Sequence, residues 1–262
     1  LLAGQRVLLC FGLFGEVMAG LKPFGVDYLV TQGEWLRGLG VPVETPVLPS
    51  AAAVEANAAE IARLIEADAR PAVLVGHSKG GLEALAAMLR PGIAGKVRGF
   101  VALQSPFGGS PVADWVCSNA PIYLASHHAL KALGLGSGRG VQDLTTRLRR
   151  AWMRRHHAQV LALAERVPMA SLGTALGPQD GGPYVLLARR IEQMGFGPND
   201  GLVPVASTEL PGARHQLLAG DHRALVAQGH GQDPVMVLRD ALLGVLGLSL
   251  IHISEPTRRR GI

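Results

Sequence analysis

The chain has 262 residues, of which 48% are hydrophobic, and its mean hydropathy of +0.25 excludes disorder as a description of most of it. It carries 25 Lys and Arg against 20 Asp and Glu, for a net charge of +5. No apolar run approaches the roughly 20 residues that a bilayer-spanning helix requires. The basic excess is concentrated over residues 147–157. We interpret that cluster as a solvated helix face, with contact to anionic lipid or nucleic acid as the alternative. No nucleic-acid-binding motif accompanies it, so no nucleic-acid partner is expected.

The first part of the chain alternates short apolar runs with helical patterns, as parallel-sheet α/β proteins do. Strands are predicted over residues 7–11 and 72–75, and amphipathic helices over 27–39 and 54–65. A further strand over 41–48 contains two prolines, which place it toward an edge of the sheet.

The alternation continues to the end of the predicted domain but is interrupted once. Residues 112–166 look mainly helical and lie between strands, so we predict that they form a cap or lid inserted into an α/β domain that spans 1–248. The other predicted elements are strands over 97–103, 167–172 and 215–219 and helices over 82–89, 184–194 and 234–248.

The last fourteen residues, 249–262, continue none of these patterns, and we interpret them as a tail that is not native to the protein. The two cysteines, Cys10 and Cys117, form neither a zinc-binding pattern nor a redox pair, and nothing in the sequence requires a disulfide between them. The sequence does not determine the compartment. We favour the cytoplasm, and secretion is the alternative if a leader is missing from the given sequence.

Gly76-His77-Ser78-Lys79-Gly80-Gly81 matches the Gly-x-Ser-x-Gly pattern of a nucleophile elbow. The motif lies between a buried apolar strand and a helix, where that chemistry requires it. A tight turn there exposes the serine hydroxyl and aims the following backbone N–H groups at a reacting carbonyl, and the small flanking residues leave room for the turn. The sequence therefore predicts Ser78 as a nucleophile, against the alternative of a glycine-rich turn without a catalytic role.

A serine nucleophile needs a base and an acid, which on this pattern follow it in the order acid, histidine. Asp200 lies in a polar turn before an apolar segment, and His222 lies on the loop after the last predicted strand. We predict that Asp200 orients His222, and that His222 removes the proton of Ser78. Asp180 is the alternative acid and His230 the alternative base.

Three motifs together resemble the bacterial lipase and esterase branch of the α/β-hydrolases: Gly76-His77-Ser78-Lys79-Gly80-Gly81, Asp200-Gly201-Leu202-Val203-Pro204 and Gly220-Asp221-His222. The loop at 105–114 is similar to the loop after the sixth strand in those lipases. The resemblance spans about 7–225, except for the divergent segment 112–166. It implies an α/β-hydrolase fold, with a mostly parallel central sheet, helices on both faces and a helical cap.

The resemblance also suggests an oxyanion hole and an acyl pocket. The family usually carries His-Gly where this chain has Phe11-Gly12, and by that match the backbone N–H groups of Leu13 and Lys79 would bind the oxyanion. Backbone donors do not depend on the side chain, so the phenylalanine leaves such a hole feasible. Candidate substrate-binding residues are His77, Phe14, Trp115 and Trp152, with core packing as the alternative role for the aromatic ones.

These features lead to one leading hypothesis and two alternatives. The leading hypothesis is hydrolysis of a small-molecule or lipid carboxylic ester through an acyl-enzyme, without a metal or organic cofactor and with contact to a lipid interface. The same machinery could pass the acyl group to another acceptor, which would make the protein an acyltransferase. A non-catalytic binding member of the fold is the third reading, disfavoured because serine, acid and histidine are all present.

Overall fold

The computed structural model describes residues 2–13, 27–132 and 139–254. At its centre is a six-stranded sheet with the order β2-β1-β3-β4-β5-β6, in which every neighbouring pair is parallel. The strands are β1 Arg6–Cys10, β2 Val43–Glu44, β3 Ala72–His77, β4 Val97–Leu103, β5 Met169–Ala175 and β6 Arg214–Ala219.

Helices connect these strands and follow the last one. The α-helices of the described chain are α1 Val30–Gly38, α2 Val54–Ala67, α3 Lys79–Met88, α4 Pro111–Ser118, α5 Ala120–Ala132, α6 Arg139–Gln142, α7 Thr146–Ala164, α8 Tyr184–Gln193, α9 Val205–Thr208 and α10 Pro234–Ser254. A short 3₁₀ helix over Ala94–Lys96 precedes β4.

Alternate residues of the central strands enter two separate hydrophobic cores, one on each face of the sheet. In β3, Leu74 packs in the core that α2 and α3 cover, whereas Val73 and Val75 pack in the core that α1 and α10 cover. Because neighbouring side chains of a strand point to opposite faces, a strand buried on both sides has the continuous apolar sequence seen here. The predicted sheet with helices on both faces is confirmed.

The predicted elements correspond to the observed ones with shifted ends. The proline-containing segment pairs only over Val43–Glu44 and is the edge strand β2, as predicted. Residues 112–166 contain α5, α6 and α7 and all of α4 except its first residue, which agrees with a mainly helical segment. A lid function of this segment stays a prediction.

The last helix, α10, extends to Ser254, past the end predicted at residue 248, and 255–262 lie outside the described residues. Within the described ranges, no helix is both long enough and apolar enough to cross a membrane. Cys10 is buried, Cys117 is partly exposed, and both are free thiols.

A parallel sheet brings the carboxyl ends of its strands to one edge, where α/β proteins usually place their sites. Here Gly12 follows β1, Ser78 follows β3 and His222 follows β6. Asp200 lies in the connection between β5 and β6. Residues far apart in the sequence are therefore brought to the same edge of the molecule.

Candidate active site

Ser78 lies in the turn between β3 and α3 with φ 53° and ψ −124°. A positive φ is uncommon for a residue with a side chain, and such strain persists only where the surrounding structure imposes it. The turn leaves no residue between Ser78 and the first helical residue, Lys79, whereas the sequence predicted a helix from residue 82. The observed elbow is thus tighter than the predicted one.

Glycines permit this turn because backbone segments approach one another there. A Cβ added at Gly76 would lie 2.6 Å from the Cα of Gly81, and one at Gly80 would overlap the carbonyl oxygen of Cys10 at the end of β1. A Cβ at Gly12 would lie 2.8 Å from the Cβ of Ser78. The first turn of α3 therefore packs directly on β1, and this contact determines where Ser78 sits.

The structure brings Ser78, His222 and Asp200 together in one hydrogen-bonded chain. The Nε2 of His222 lies 3.1 Å from the Oγ of Ser78, and its Nδ1 lies 2.7 Å from the Oδ2 of Asp200. All three side chains are buried. Since an ionised carboxylate only accepts, Nδ1 carries a proton and Nε2 is free to accept one from the serine hydroxyl.

Asp200 is held in place by donors on both of its oxygens. Its Oδ1 accepts the backbone N–H groups of Leu202 at 2.9 Å and Val203 at 2.7 Å, and its Oδ2 also accepts from the side chain of Gln104 at 3.3 Å. Gly201 has φ 94°, which lets the chain fold back so that these amides reach the carboxylate. Hydrogen bonds to the ionised form stabilise a buried carboxylate.

The alternative acid and base lie elsewhere. Asp180 is exposed, and its Oδ2 accepts the backbone N–H of Gly177 at 2.6 Å. His230 pairs with Asp221, with its Nδ1 2.8 Å from Oδ2 of that residue. Neither Asp180 nor His230 hydrogen-bonds to Ser78 or His222 in the described part of the chain.

A second hydrogen-bonded chain runs beside the first one through Tyr28 and His77. The backbone N–H of Gly12 donates to the hydroxyl of Tyr28 at 3.0 Å, and that hydroxyl lies 2.6 Å from Nδ1 of His77. The Nε2 of His77 lies 3.1 Å from the carbonyl oxygen of His222. This chain connects the loop after β1 to the backbone of the loop that carries His222.

The partners of His77 define its tautomer. A carbonyl oxygen only accepts, so Nε2 carries the proton, and Nδ1 accepts from the hydroxyl of Tyr28. Burial lowers the pKa of His77 well below its ordinary value of 6.5, and the neighbouring His222 ring contributes in the same direction. His77 is therefore neutral at physiological pH, which suits an orienting role rather than acid–base chemistry.

A cavity of about 420 Å³ opens over Ser78. Its wall is mostly apolar, with contributions from α4 and α6 on one side and from the loops after β5 and β6 on the other. The lining residues are Leu13, Tyr28, His77, Ser78, Pro106, Ser110, Val112, Ala113, Val116, Val141, Leu144, Tyr184, Leu202, Val203, His222 and Arg223. The volume is within the range of small-ligand sites.

The two residues predicted for the oxyanion hole lie just after β1 and at the start of α3. Leu13 lines the cavity just after β1. Lys79 is the first residue of α3, where a backbone N–H has no acceptor within the helix. The Lys79 side chain is buried away from this cavity in an ion pair with Glu83, whose Oε1 also accepts from Asn57 at 2.8 Å.

Of the four predicted substrate-binding residues, one lines the cavity, two do not, and one is not described. His77 lines the cavity, and Phe14 lies outside the described residues. Neither tryptophan is among the described residues of the cavity wall. Trp115 is 53% exposed on α4, whereas Trp152 is buried, stacks on His156 and donates its Nε1–H to Glu55 at 3.0 Å. Trp152 thus has the core-packing role that was the alternative prediction.

Sequence reasoning missed four residues of the site: Tyr28, Gln104, Tyr184 and Arg223. Tyr28 and Tyr184 were assigned to predicted helices, and Gln104 to a turn-rich loop, without a site role. Only Arg223 carried a signal, because it follows His222 directly. Among the described residues, no group of three or more His, Cys, Asp or Glu side chains is arranged to hold a metal ion.

No known protein-family model matches the chain, and no curated protein matches it. Solved structures do. The metagenomic carboxyl esterase MGS0156 matches with a TM-score of 0.72 and 21% identity, over 97% of this chain and 77% of its own. The mature lipase BlEst2 of Bacillus licheniformis matches with a TM-score of 0.66 and 21% identity, over 84% and 85% of the two chains. The Staphylococcus hyicus lipase matches with a TM-score of 0.65 and 12% identity, over 96% of this chain and 97% of its own. The chain has the α/β-hydrolase fold.

At these identities the likeness concerns the fold, and the chemistry has to be argued from the site itself. The motifs predicted this α/β-hydrolase fold, and the observed order of the strands agrees with that prediction. Ser78 follows β3, Asp200 follows β5 and His222 follows β6, so each comes from a different strand end.

The close packing of α3 on β1 predicts that Gly80→Ala is strongly disruptive. Its new Cβ would overlap backbone carbonyl oxygens of Cys10 and Phe11, which cannot move without shifting the end of β1. We expect a lower melting temperature and, for any reaction that Ser78 catalyses, a loss of rate of at least about a hundredfold. The control is Gly95→Ala, where nothing lies within 4 Å, and which should leave both measurements nearly unchanged. Equal behaviour of the two variants would contradict this packing.

The Tyr28 hydroxyl predicts a measurable defect in Tyr28→Phe. The variant keeps the ring but leaves the N–H of Gly12 and the Nδ1 of His77 without their partner, which costs about 1–3 kcal/mol of unfolding free energy. Gly12 precedes Leu13, whose backbone N–H is a predicted oxyanion donor. We therefore expect kcat to fall more than KM rises. The measurement is chemical denaturation, together with the kinetics of any reaction that Ser78 catalyses. Unchanged kcat and stability would argue against the bracing role.

The neutral, buried His77 predicts a stability that depends on pH. Below about pH 6.5 the unfolded chain binds a proton at residue 77 that the folded protein does not, so the free energy of unfolding decreases as the pH falls. One such group contributes about 1.4 kcal/mol per pH unit. We expect denaturant titrations between pH 6.5 and 5 to show a shallower slope in His77→Gln, which retains a donor and an acceptor. The exposed His157→Gln variant should keep the parent slope; an identical slope in His77→Gln would refute the assignment.

Proposed function

We propose that this protein hydrolyses carboxylic esters through an acyl-enzyme formed on Ser78. The observation that carries the proposal is the buried chain of hydrogen bonds from Asp200 through His222 to Ser78, which ends at an apolar cavity. A serine hydroxyl is a weak nucleophile until a base accepts its proton, and His222 is within reach to do so. The fold of the neighbouring lipase and esterase structures supports the same reaction class.

In the proposed first step, Oγ of Ser78 attacks the ester carbonyl carbon while its proton passes to Nε2 of His222. Asp200 accepts the hydrogen bond from Nδ1 and stabilises the imidazolium that forms. The carbonyl oxygen becomes negative, and the backbone N–H groups of Leu13 and Lys79 are the donors proposed to bind it. Collapse of this intermediate breaks the ester C–O bond, and His222 returns its proton to the departing alcohol.

In the second step, a water molecule attacks the acyl-enzyme. His222 accepts one proton of the water, a second tetrahedral intermediate forms, and its collapse releases the carboxylic acid and restores the Ser78 hydroxyl. The hydrogen bonds on Asp200 keep His222 in the same orientation for both transfers. The neutral His77 holds the backbone of His222 and takes no part in the proton transfers.

The apolar wall of the cavity supports an acyl chain as the group that occupies it. Val112, Val116, Val141 and Leu144 line it from the segment predicted as a cap. Three large hydrophobic side chains are exposed on α4, which contributes to that wall, and on α5, which packs against α4: Trp115, Ile122 and Leu124. Exposed apolar side chains beside a site favour contact with a lipid interface, so lipid esters are part of the proposal.

We expect Ser78→Ala to reduce hydrolysis of p-nitrophenyl esters at least about a thousandfold. Ser110, the other serine among the described lining residues, donates its hydroxyl to the carbonyl oxygen of Leu202 and not to His222. The series from acetate to palmitate should give a chain-length optimum that separates an esterase from a lipase. A fluorophosphonate should label the parent once, at Ser78. The exposed Ser118→Ala variant is the control and should behave as the parent does.

The other outcomes identify the alternatives. Labelling of Ser78 without hydrolysis, but with transfer of the acyl group to an added alcohol, would make the protein an acyltransferase. A folded parent with neither labelling nor turnover would be a non-catalytic member of the fold. Ester hydrolysis that survives in Ser78→Ala would place the chemistry elsewhere.

A further inference from the structure

Arg223 places a permanent positive charge on the wall of the cavity above Ser78. It follows His222 directly, and it is the one Asp, Glu, Lys or Arg among the described lining residues. Its side chain is partly buried, and Tyr28 and Tyr184 line the same cavity. A charge in an otherwise apolar cavity is costly unless a partner compensates it.

The protein supplies little compensation within the described residues. Of the five N–H donors of a guanidinium, one has an acceptor: Nη2 donates to the carbonyl oxygen of Asp27 at 3.2 Å. The buried Nε has no hydrogen-bond partner. Arg223 forms no ion pair with a carboxylate of the described chain.

The nearest carboxylate in sequence is engaged with other groups. Oδ1 of Asp221 accepts the backbone N–H of Arg223 at 2.8 Å, and its Oδ2 pairs with Nδ1 of His230 at 2.8 Å. Asp200 is fully occupied by His222 and by the donors described above. The guanidinium therefore keeps donors and charge available to a ligand in the cavity.

We propose that Arg223 binds an oxyanion, a carboxylate or a phosphate, on the alcohol portion of the ester substrate. This inference rests on the proposed ester hydrolysis. An acyl chain takes the apolar wall formed by residues such as Val116, Val141 and Leu144, so the anion belongs to the other part of the ester. A guanidinium presents a planar fork of donors that matches a carboxylate or phosphate in charge and geometry.

The test uses two pairs of esters with equal acyl chains. One pair is 4-butanoyloxybenzoate and its neutral methyl ester, and the other is a monoacylglycerol 3-phosphate and the matching monoacylglycerol. The quantity measured is the ratio of kcat/KM for the anionic ester to that for the neutral one. The first pair reports on carboxylate and the second on phosphate, so the two sources of the anion are distinguished.

We expect Arg223→Gln to lower this ratio at least tenfold for one or both pairs, because the ratio isolates the contribution of the anion from any general effect on the site. Arg223→Lys should recover part of the ratio, because it keeps the charge but not the fork. Arg189→Gln removes an exposed charge on α8 and should leave the ratio unchanged. An unchanged ratio in Arg223→Gln, or an equal loss on neutral and anionic esters, would overturn the proposal.

A binding measurement separates this inference from the proposed function. Calorimetry compares octyl phosphate, octanoate and octanol on Ser78→Ala and on Ser78→Ala combined with Arg223→Gln. Anion binding that weakens at least tenfold in the double variant supports the site even if the parent hydrolyses no ester. Ester hydrolysis together with anion binding that does not depend on Arg223 would leave the function standing and refute the anion site.

Discussion

The close approach of the first turn of α3 to the end of β1 is the constraint on which the site depends. Gly80 lies against the backbone of Cys10 and Phe11, and any larger residue there would push the helix away from the sheet. Because α3 begins immediately after Ser78, that contact also determines the position and the positive φ of the serine. The close backbone contacts at Gly12, Gly76 and Gly80 hold the strained turn in place, so the backbone that carries the serine hydroxyl is fixed.

Two parallel chains of hydrogen bonds then hold the groups around that serine. Asp200 orients the ring of His222, while His77 binds the backbone of the same residue. Tyr28 continues the second chain to Gly12, beside the proposed oxyanion donor Leu13. Where the lipases that the motifs resemble usually carry a histidine before this glycine, the present chain has Phe11, whose ring packs edge-on against Tyr28 at 5.3 Å. The loop is thus held by Tyr28, a residue to which the sequence motifs assign no role in the site.

The cavity over Ser78 is divided by chemistry. Its wall from α4 and α6 is apolar, whereas Tyr28, Tyr184 and Arg223 bring polar groups and one cation to the remaining wall. Such a division suits a molecule with an apolar chain and a polar part joined at the reacting carbonyl. In the proposed mechanism, Ser78, His222 and Asp200 carry out the ester chemistry, and the cavity wall selects the substrate.

Local sequence determined the parts of this protein that depend on local physics. Continuous apolar runs predicted the buried strands, the two prolines predicted the edge strand, and the glycine spacing around Ser78 predicted the elbow, because each of these reflects burial or backbone sterics within a few residues. The order of Asp200 and His222 along the chain predicted their pairing. Only the tertiary structure decided which aromatic and charged side chains reach the site. Tyr28 and Arg223 line the cavity, whereas Trp115 and Trp152 do not. The sequence alone does not distinguish a side chain on an exposed helix face from one on a cavity wall, because that difference arises only when the segments pack together.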